Sequence, residues 1–309
     1  MQNKYCLFSN DVETTSIWLN KLSDKTGYKV LNEGIPLLLD LYAKHRIRST
    51  FFFTGYIAEL FPDVVKMVVH GGHEVASHGK SHLKNNGFDI MPFERQKRHL
   101  IETKRLLEDI SGQEVVSFRA PALHVNMDTA PALIEAVYKI DSSVASQRFD
   151  FFLSFGGVKK LNWLFAPRLP YLTATDNLFK KGSGPLVEVP LSALFFPYVG
   201  TTMRVFPWLT AIQRHGIHLE AAYINGKPVV FDIHPNEFID ESEEPRIIHN
   251  RSSNKLAYFI QDYLRAQLKT KNLGPKAIHL YEKEVQFYLK RGYQFTTVQE
   301  YCRQTGFIK

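Results

Sequence analysis

The stretch STFFFTGYIAELFPDVVKMVVHGGHEVASH (49–78) sets the fold class. STFFFTGYI (49–57) is a short aromatic β run with the character of a strand buried on both faces. FPDVVKMVVHGG (61–72) has the composition of a helix that stops at glycines. HEVASH (73–78) reads as the next strand. Strand, helix, strand in this order predicts two parallel strands joined by a crossover.

Outward from it the alternation continues. KYCLFSND (4–11) is a strand with a polar tip, and EGIPLLLDLYAKHRI (33–47) a helix with Pro36 near its start. MPFERQKRHLIETKRLLEDISG (91–112) is a long amphipathic helix ending at glycine. VVSFRAP (115–121) is a strand, DTAPALIEAVY (128–138) a helix, and KIDSSVA (139–145) a strand. From about 146 to 228 the pattern loosens into aromatic-, glycine- and proline-rich sequence, which reads as irregular loops and short strands over a barrel mouth. KPVVFDIHPNEF (227–238) restores a strand. Helices over 255–268 and 276–292 follow, then a strand running into a short helix over 293–302. No internal repeat or long low-complexity segment is present.

The 309 residues suit one large α/β unit, with 146–228 as an insertion. An apolar share of 44% and a charged share of 22% provide for a full core and argue against global disorder. The net charge of +7 suggests an anionic partner or ordinary solubility charge. The basic residues are scattered and no nucleic-acid module is present, which excludes nucleic acid as the expected partner. Cys6 and Cys302 lack a second cysteine at metal spacing, and no disulfide framework is indicated. No apolar run reaches spanning length, and no leader pattern precedes YCLFSNDV, so the expected location is cytoplasmic.

The polar residues cluster at strand ends, where α/β folds place their chemistry. Asp11 and Glu13 stand two apart, on one face of an extended chain. They form either a working acid pair or a solvated turn. GGHEVASHGKSHL (71–83) holds His73, His78 and His82. His78 and His82, four apart, converge if the segment turns like a helix, and with a carboxylate they would make a two-histidine, one-carboxylate metal site. The other reading is a polar loop. His73, at the strand's start, is assigned to packing or a backbone hydrogen bond. Arg119 in FRAP can pair with Asp11, or it is a surface arginine before a turn. Asp141 and His234 complete the set. A carboxylate near a histidine raises its pKa and sets its tautomer, as a general acid requires, whereas the plainer role for His234 is a satisfied core histidine. Asp232 is expected on the opposite face from His234.

In order, the motifs are D-x-E, FFFTG, GHE-x-x-S-H-x-x-x-H, R-x-P, D-S-S and I-H-P. This series resembles the polysaccharide deacetylase family, the NodB-homology carbohydrate esterases, well over residues 4–145 and again at 186–238 and in the last strand. LVEVPLS (186–192) and TTMRVFPW (201–208) look like a branch associated with bacterial glycan biosynthesis.

The resemblance implies a distorted (β/α) barrel of about seven strands and metal-dependent removal of an N-acetyl or other N-acyl group from an amino sugar. It makes Asp11 the base, Glu13, His78 and His82 the ligands of one divalent ion (zinc first, with cobalt, nickel or manganese as other choices), and Arg119 the group that orients Asp11. His234 becomes the general acid, tuned by Asp141, and the Ala122 backbone N–H the oxyanion donor, with Pro121 shaping its loop. Two features depart from the family. The family's adjacent aspartates are here Asp11-Val12-Glu13, leaving open which carboxylate binds metal, and an aromatic that commonly follows the R-x-P proline is here Ala122.

The expected partner is an N-acylated amino sugar or glycan, free or lipid-linked. The 151–208 aromatics with Lys159, Lys160, Lys180 and Lys181 either cap the barrel or touch an anionic membrane. Two rival functions stand: a deformylase or cyclic-amide hydrolase on the same fold, and an inactive glycan-binding module.

Overall fold

The computed structural model describes residues 3–19, 21–146, 163, 165–245, 259 and 263–309. The expectations for Lys159 and Lys160, and most of that for a helix over 255–268, fall outside these residues; within the latter, Arg265–Lys269 is helical.

The sheet is built from β1 (Tyr5–Val12), β2 (Thr50–Phe53), β3 (Glu74–Ser77), β4 (Ser117–Phe118), β5 (Ile140–Asp141), β6 (Tyr171–Ala174), β7 (Asn177–Lys181), β8 (Val187–Glu188), β9 (Val229–Ile233) and β10 (Gln294–Phe295). Its order is β9-β1-β2-β3-β4-β5-β8-β6-β7, with β10 also on β1. The seven strands from β9 to β8 in this order run parallel, and the β6–β7 hairpin is antiparallel. The two ends of the parallel run approach through Ser192, four residues past β8. Its N–H donates to Val230 O at 3.0 Å, and its Oγ accepts from Val230 N–H at 3.0 Å. The result is a distorted parallel α/β barrel.

Several strands are shorter than their apolar runs. The aromatic run is a strand only as far as Phe53; Thr54 then caps a helix, Gly55–Leu60, by accepting from Ile57 N–H. Pro62 starts the next helix, Pro62–His70, which ends at Gly71, and Gly72 (φ 74°) makes the turn into β3. The long amphipathic helix is Phe93–Ser111, ended by Gly112 in the left-handed region.

The largest correction lies within 146–228. Besides the short strands expected there, its described residues include two helices, α1 (Gly200–Val205) and α2 (Pro207–Leu219). Pro207 opens α2 rather than breaking it. The inward side of α2 carries Thr210 and Gln213, so the usual apolar-inside pattern is not visible in its sequence.

Aromatic packing between the sheet and the helix Pro275–Leu289 centres on Phe8, fully buried against Phe231, Tyr281, Tyr288 and Phe295. Tyr42 donates to Asn10 Oδ1 at 2.8 Å and shares a hydrogen bond with Tyr281 at 2.7 Å, so the polar rings are satisfied. Phe8→Ala is expected to lower stability by about 3–5 kcal/mol, because a ring is lost from a site that cannot collapse freely. Urea unfolding of both proteins checks this; a loss below about 1 kcal/mol would show that Phe8 does not anchor the strands around it.

Candidate active site

Every candidate site residue except His82 and Ala122 sits at, or within two residues of, the carboxyl end of a parallel strand. Asp11 lies at the end of β1 and Glu13 just past it. His78 follows β3, Arg119 follows β4, Asp141 ends β5 and His234 follows β9.

Glu13, His78 and His82 come together, with one ligand atom from each lying within 4.8 Å of the others. His82 Nε2 is 2.6 Å from Glu13 Oε2 and 3.1 Å from His78 Nε2. Gly79 (φ 66°) reverses the chain between the histidines, and an added Cβ there would lie 2.9 Å from Phe88. His78 Nδ1–H donates to Arg119 O at 2.8 Å, which leaves Nε2 as the ring's free lone pair. Burial, working against Asp11, holds the His78 pKa down at about 4, so the ring is neutral at pH 7. Burial pushes Glu13 up, but the His82 charge and hydrogen bond outweigh it and bring Glu13 to about 2. Two imidazole nitrogens facing an ionised carboxylate are donors suited to a divalent transition ion. This donor set therefore fits the expected metal. Glu13 groups with the histidines, whereas Asp11 falls in a second cluster with Asp232 and His234.

That second cluster is organised by Arg119, which is fully buried. Its Nη1 donates to Asp11 Oδ1 at 2.9 Å, Asp232 Oδ1 at 2.8 Å and Ser9 Oγ at 2.8 Å. Asp11 Oδ2 remains 3.5 Å from His78 Nε2. Burial raises Asp11, but His78, Arg119 and His234 outweigh it and place Asp11 near 2. Burial and the Asp11 charge push Asp232 well up. The two acids are thus driven apart: Asp11 toward its ionised form and Asp232 toward its protonated form.

Two sequence expectations are corrected. Asp232 is not on the face opposite His234. Residues two apart on a strand share a face, and both lie in the Asp11 cluster. Asp141 is not the partner of His234. It is buried beside its strand neighbour Glu188, and burial pushes both carboxyls up. Asp141 Oδ1 accepts from Ser143 Oγ at 2.6 Å, and Ser143 Oγ accepts from Ala120 N–H at 2.9 Å. Asp141 therefore braces the loop that carries Arg119 and Ala122.

The partner of His234 is Glu237, which the sequence reading passed over. Glu237 Oε1 accepts from His234 Nδ1–H at 3.3 Å and from His234 backbone N–H at 3.2 Å. Glu237 is fully buried and pairs with buried Arg204 from α1. With Nδ1 engaged, His234 presents Nε2 toward the site, 3.8 Å from Glu13 Oε1. Burial lowers the His234 pKa, but the Glu237 hydrogen bond and the Asp232, Glu13 and Asp11 carboxyls raise it to about 10. The available signal was the acid three residues after His234, placed to cap the short turn Pro235–Glu237.

Ala122 is exposed, with φ 54° and ψ 18°, and follows Pro121 in a tight turn after Arg119. Its N–H is carried on the loop that Ser143 braces. His73 is a packing residue: it accepts from Ser49 N–H at 3.2 Å and its ring packs on Tyr42 and Phe51.

Residues 24–140 match the polysaccharide deacetylase family model. A peptidoglycan deacetylase of Helicobacter pylori is 31% identical over 146 residues, 45% of this chain and 49% of that protein, so the chain spans about half the length of that relative. A polysaccharide deacetylase structure from Mycobacterium smegmatis aligns over 98% of this chain and 90% of its own, at 18% identity and a TM-score of 0.65. One from Pseudomonas aeruginosa aligns over the same shares at 15% identity and a TM-score of 0.62. These two likenesses concern the fold. The sequence match runs through both histidines and Arg119, and over residues 24–140 the chain is similar to the polysaccharide deacetylase family.

Proposed function

We propose that this protein is a metal-dependent hydrolase that removes the N-acetyl group from an amino sugar of a glycan or lipid-linked glycan precursor. The observation that carries this reading is the meeting of two clusters. Glu13, His78 and His82 form a divalent-ion donor set, and ionised Asp11 and protonated His234 flank it.

Glu13, His78 and His82 would hold the ion, which when bound polarises the acyl carbonyl and makes water a better nucleophile. Asp11 accepts the proton of the attacking water on Oδ2, because Arg119 occupies Oδ1. The Ala122 N–H stabilises the charge that develops on the acyl oxygen. His234 gives the proton on Nε2 to the departing amine, and Glu237 keeps its ring in the necessary orientation. The names of the relatives support an N-acetylated glycan as substrate; the H. pylori protein is called a peptidoglycan deacetylase.

Metal analysis of the purified protein, wild type against His78→Ala/His82→Ala, tests the donor set. About one divalent ion per wild-type chain, absent from the variant, is expected. A wild type that stays empty after incubation with zinc, cobalt, nickel or manganese would sink the metal-hydrolase reading. Acetate release from N-acetylglucosamine oligomers or peptidoglycan fragments tests the activity. A metal-loaded protein that binds such glycans but releases no acetate would instead be a binding module.

The role of His234 has its own signature. A group whose pKa is raised to about 10 keeps its proton below that pH, so activity should fall only as pH climbs toward 10. Glu237→Gln keeps an acceptor but removes the charge. It is expected to move that alkaline limb to lower pH and cut kcat about 10- to 100-fold, with little change in KM. A pH–rate profile identical to that of the wild type would show that Glu237 does not set the proton on His234.

A further inference from the structure

The helix α2 and the turn after it (220–224) present an inverted surface. Trp208, Ile212, His215, Leu219 and Tyr223 recur at spacings of four, three, four and four, which places them on one side of the helix. The four apolar members are 55–77% exposed, and Ile224 beside them is exposed as well. The inward side carries Thr210 and Gln213 beside Ile217 and Ala221. Gln213 Nε2 donates to Phe196 O at 2.9 Å and Leu194 O at 3.3 Å, tying down the chain reversal whose tip is exposed Phe195. The stripe is therefore held rigidly outward, and no described residue covers it.

One edge of the stripe is cationic. His218 lies against Tyr223, Phe287 and Tyr293, and burial together with Arg291, Lys4 and His215 holds its pKa down, with no acid opposing them. Lys4 rests over Tyr293 and Arg291 over Phe287, and neither makes an ion pair with a described acid. The nearby acids are spent: Glu220 pairs with Arg168 and Lys227, and Glu284 with Arg214. The chain as a whole carries +7.

We infer that the outward side of α2 is a peripheral docking surface for an anionic lipid bilayer. Trp, Tyr, Ile and Leu on one side of a surface helix, flanked by cations, form the pattern that sinks into the headgroup boundary while the charges meet anionic lipid. A second copy of this chain fits less well: its own net charge of +7 would oppose the approach of the same cationic surface. This surface differs from the one suggested by Lys180 and Lys181, which lie on the β6–β7 hairpin. No described helix is long and apolar enough to cross a membrane, so the contact is one of lying on the surface.

The test is flotation of the full chain with phosphatidylcholine vesicles, with and without phosphatidylglycerol. Co-flotation only with the phosphatidylglycerol vesicles is expected, weakening as salt is raised. Ile212→Glu/Tyr223→Glu, at exposed positions, should abolish it. Lys4→Gln/Arg291→Gln should weaken it by about five-fold for each cation removed. Absent flotation, equal binding to neutral vesicles, or binding unchanged in both variants would each overturn the inference. So would a concentration-dependent dimer, dispersed by Ile212→Glu/Tyr223→Glu, in a protein that ignores vesicles; the stripe would then belong to a second copy.

Discussion

The site depends on a buried guanidinium. Arg119 has no exposed surface, lies over the Phe52 ring at 4.2 Å, and donates to groups from β1, β9 and the segment after β5. A buried cation with no anion nearby would be strongly destabilising. The Asp11–Asp232 pair meets this cation unequally: against burial, His78, Arg119 and His234 bring Asp11 to about 2, while burial and the Asp11 charge push Asp232 well up. The same arrangement stabilises the strand ends and supplies an ionised acid whose second oxygen faces His78.

A second chain of contacts couples chemistry to the helical part of 146–228. His234 is held by Glu237, and Glu237 by Arg204 of α1. Arg204 also donates to Lys269 O at 2.8 Å and Lys271 O at 2.9 Å, so three separate segments fix the histidine. Gly200 belongs to the same joint, since an added Cβ would meet Glu237 Oε1. Helix α1 can approach His234 this closely because it begins with a residue that has no side chain. The insertion therefore does more than cover the barrel: part of it is the back wall of the candidate general acid.

The sequence was most legible where one residue had one reason to be where it is. Alternating strands and helices up to about 145 followed from apolar periodicity and glycine stops, and the clustering of acids and histidines at strand ends followed from the topology. Legibility failed in two physical situations. Helix α2 hides its period because its inner side bonds through Gln213 and its outer side is apolar, so hydrophobicity points the wrong way. The resemblance makes Asp141 the partner of His234, and only the packing shows that Glu237 takes that place. Asp141 is turned toward Glu188 and Ser143, while Glu237 reaches back across one turn to the ring. Asp232 shares the face of His234 because side chains repeat every two residues along a strand.

These arrangements give the histidines distinct electrostatic settings within one cleft. His78 is buried, with Nδ1 committed to a backbone carbonyl, and burial favours its neutral form. His234 is partly exposed, with Nδ1 committed to a carboxylate, which favours the charged form. A neutral imidazole is what a metal ligand must be, and a charged one is what a proton donor must be. The difference arises from what each Nδ1 touches rather than from position in the sequence: a carbonyl on the loop braced by Asp141 in one case, a glutamate clamped by α1 in the other. Replacing either support would change the chemistry of a ring while leaving the ring in place, so the second layer of contacts assigns the roles in this cleft.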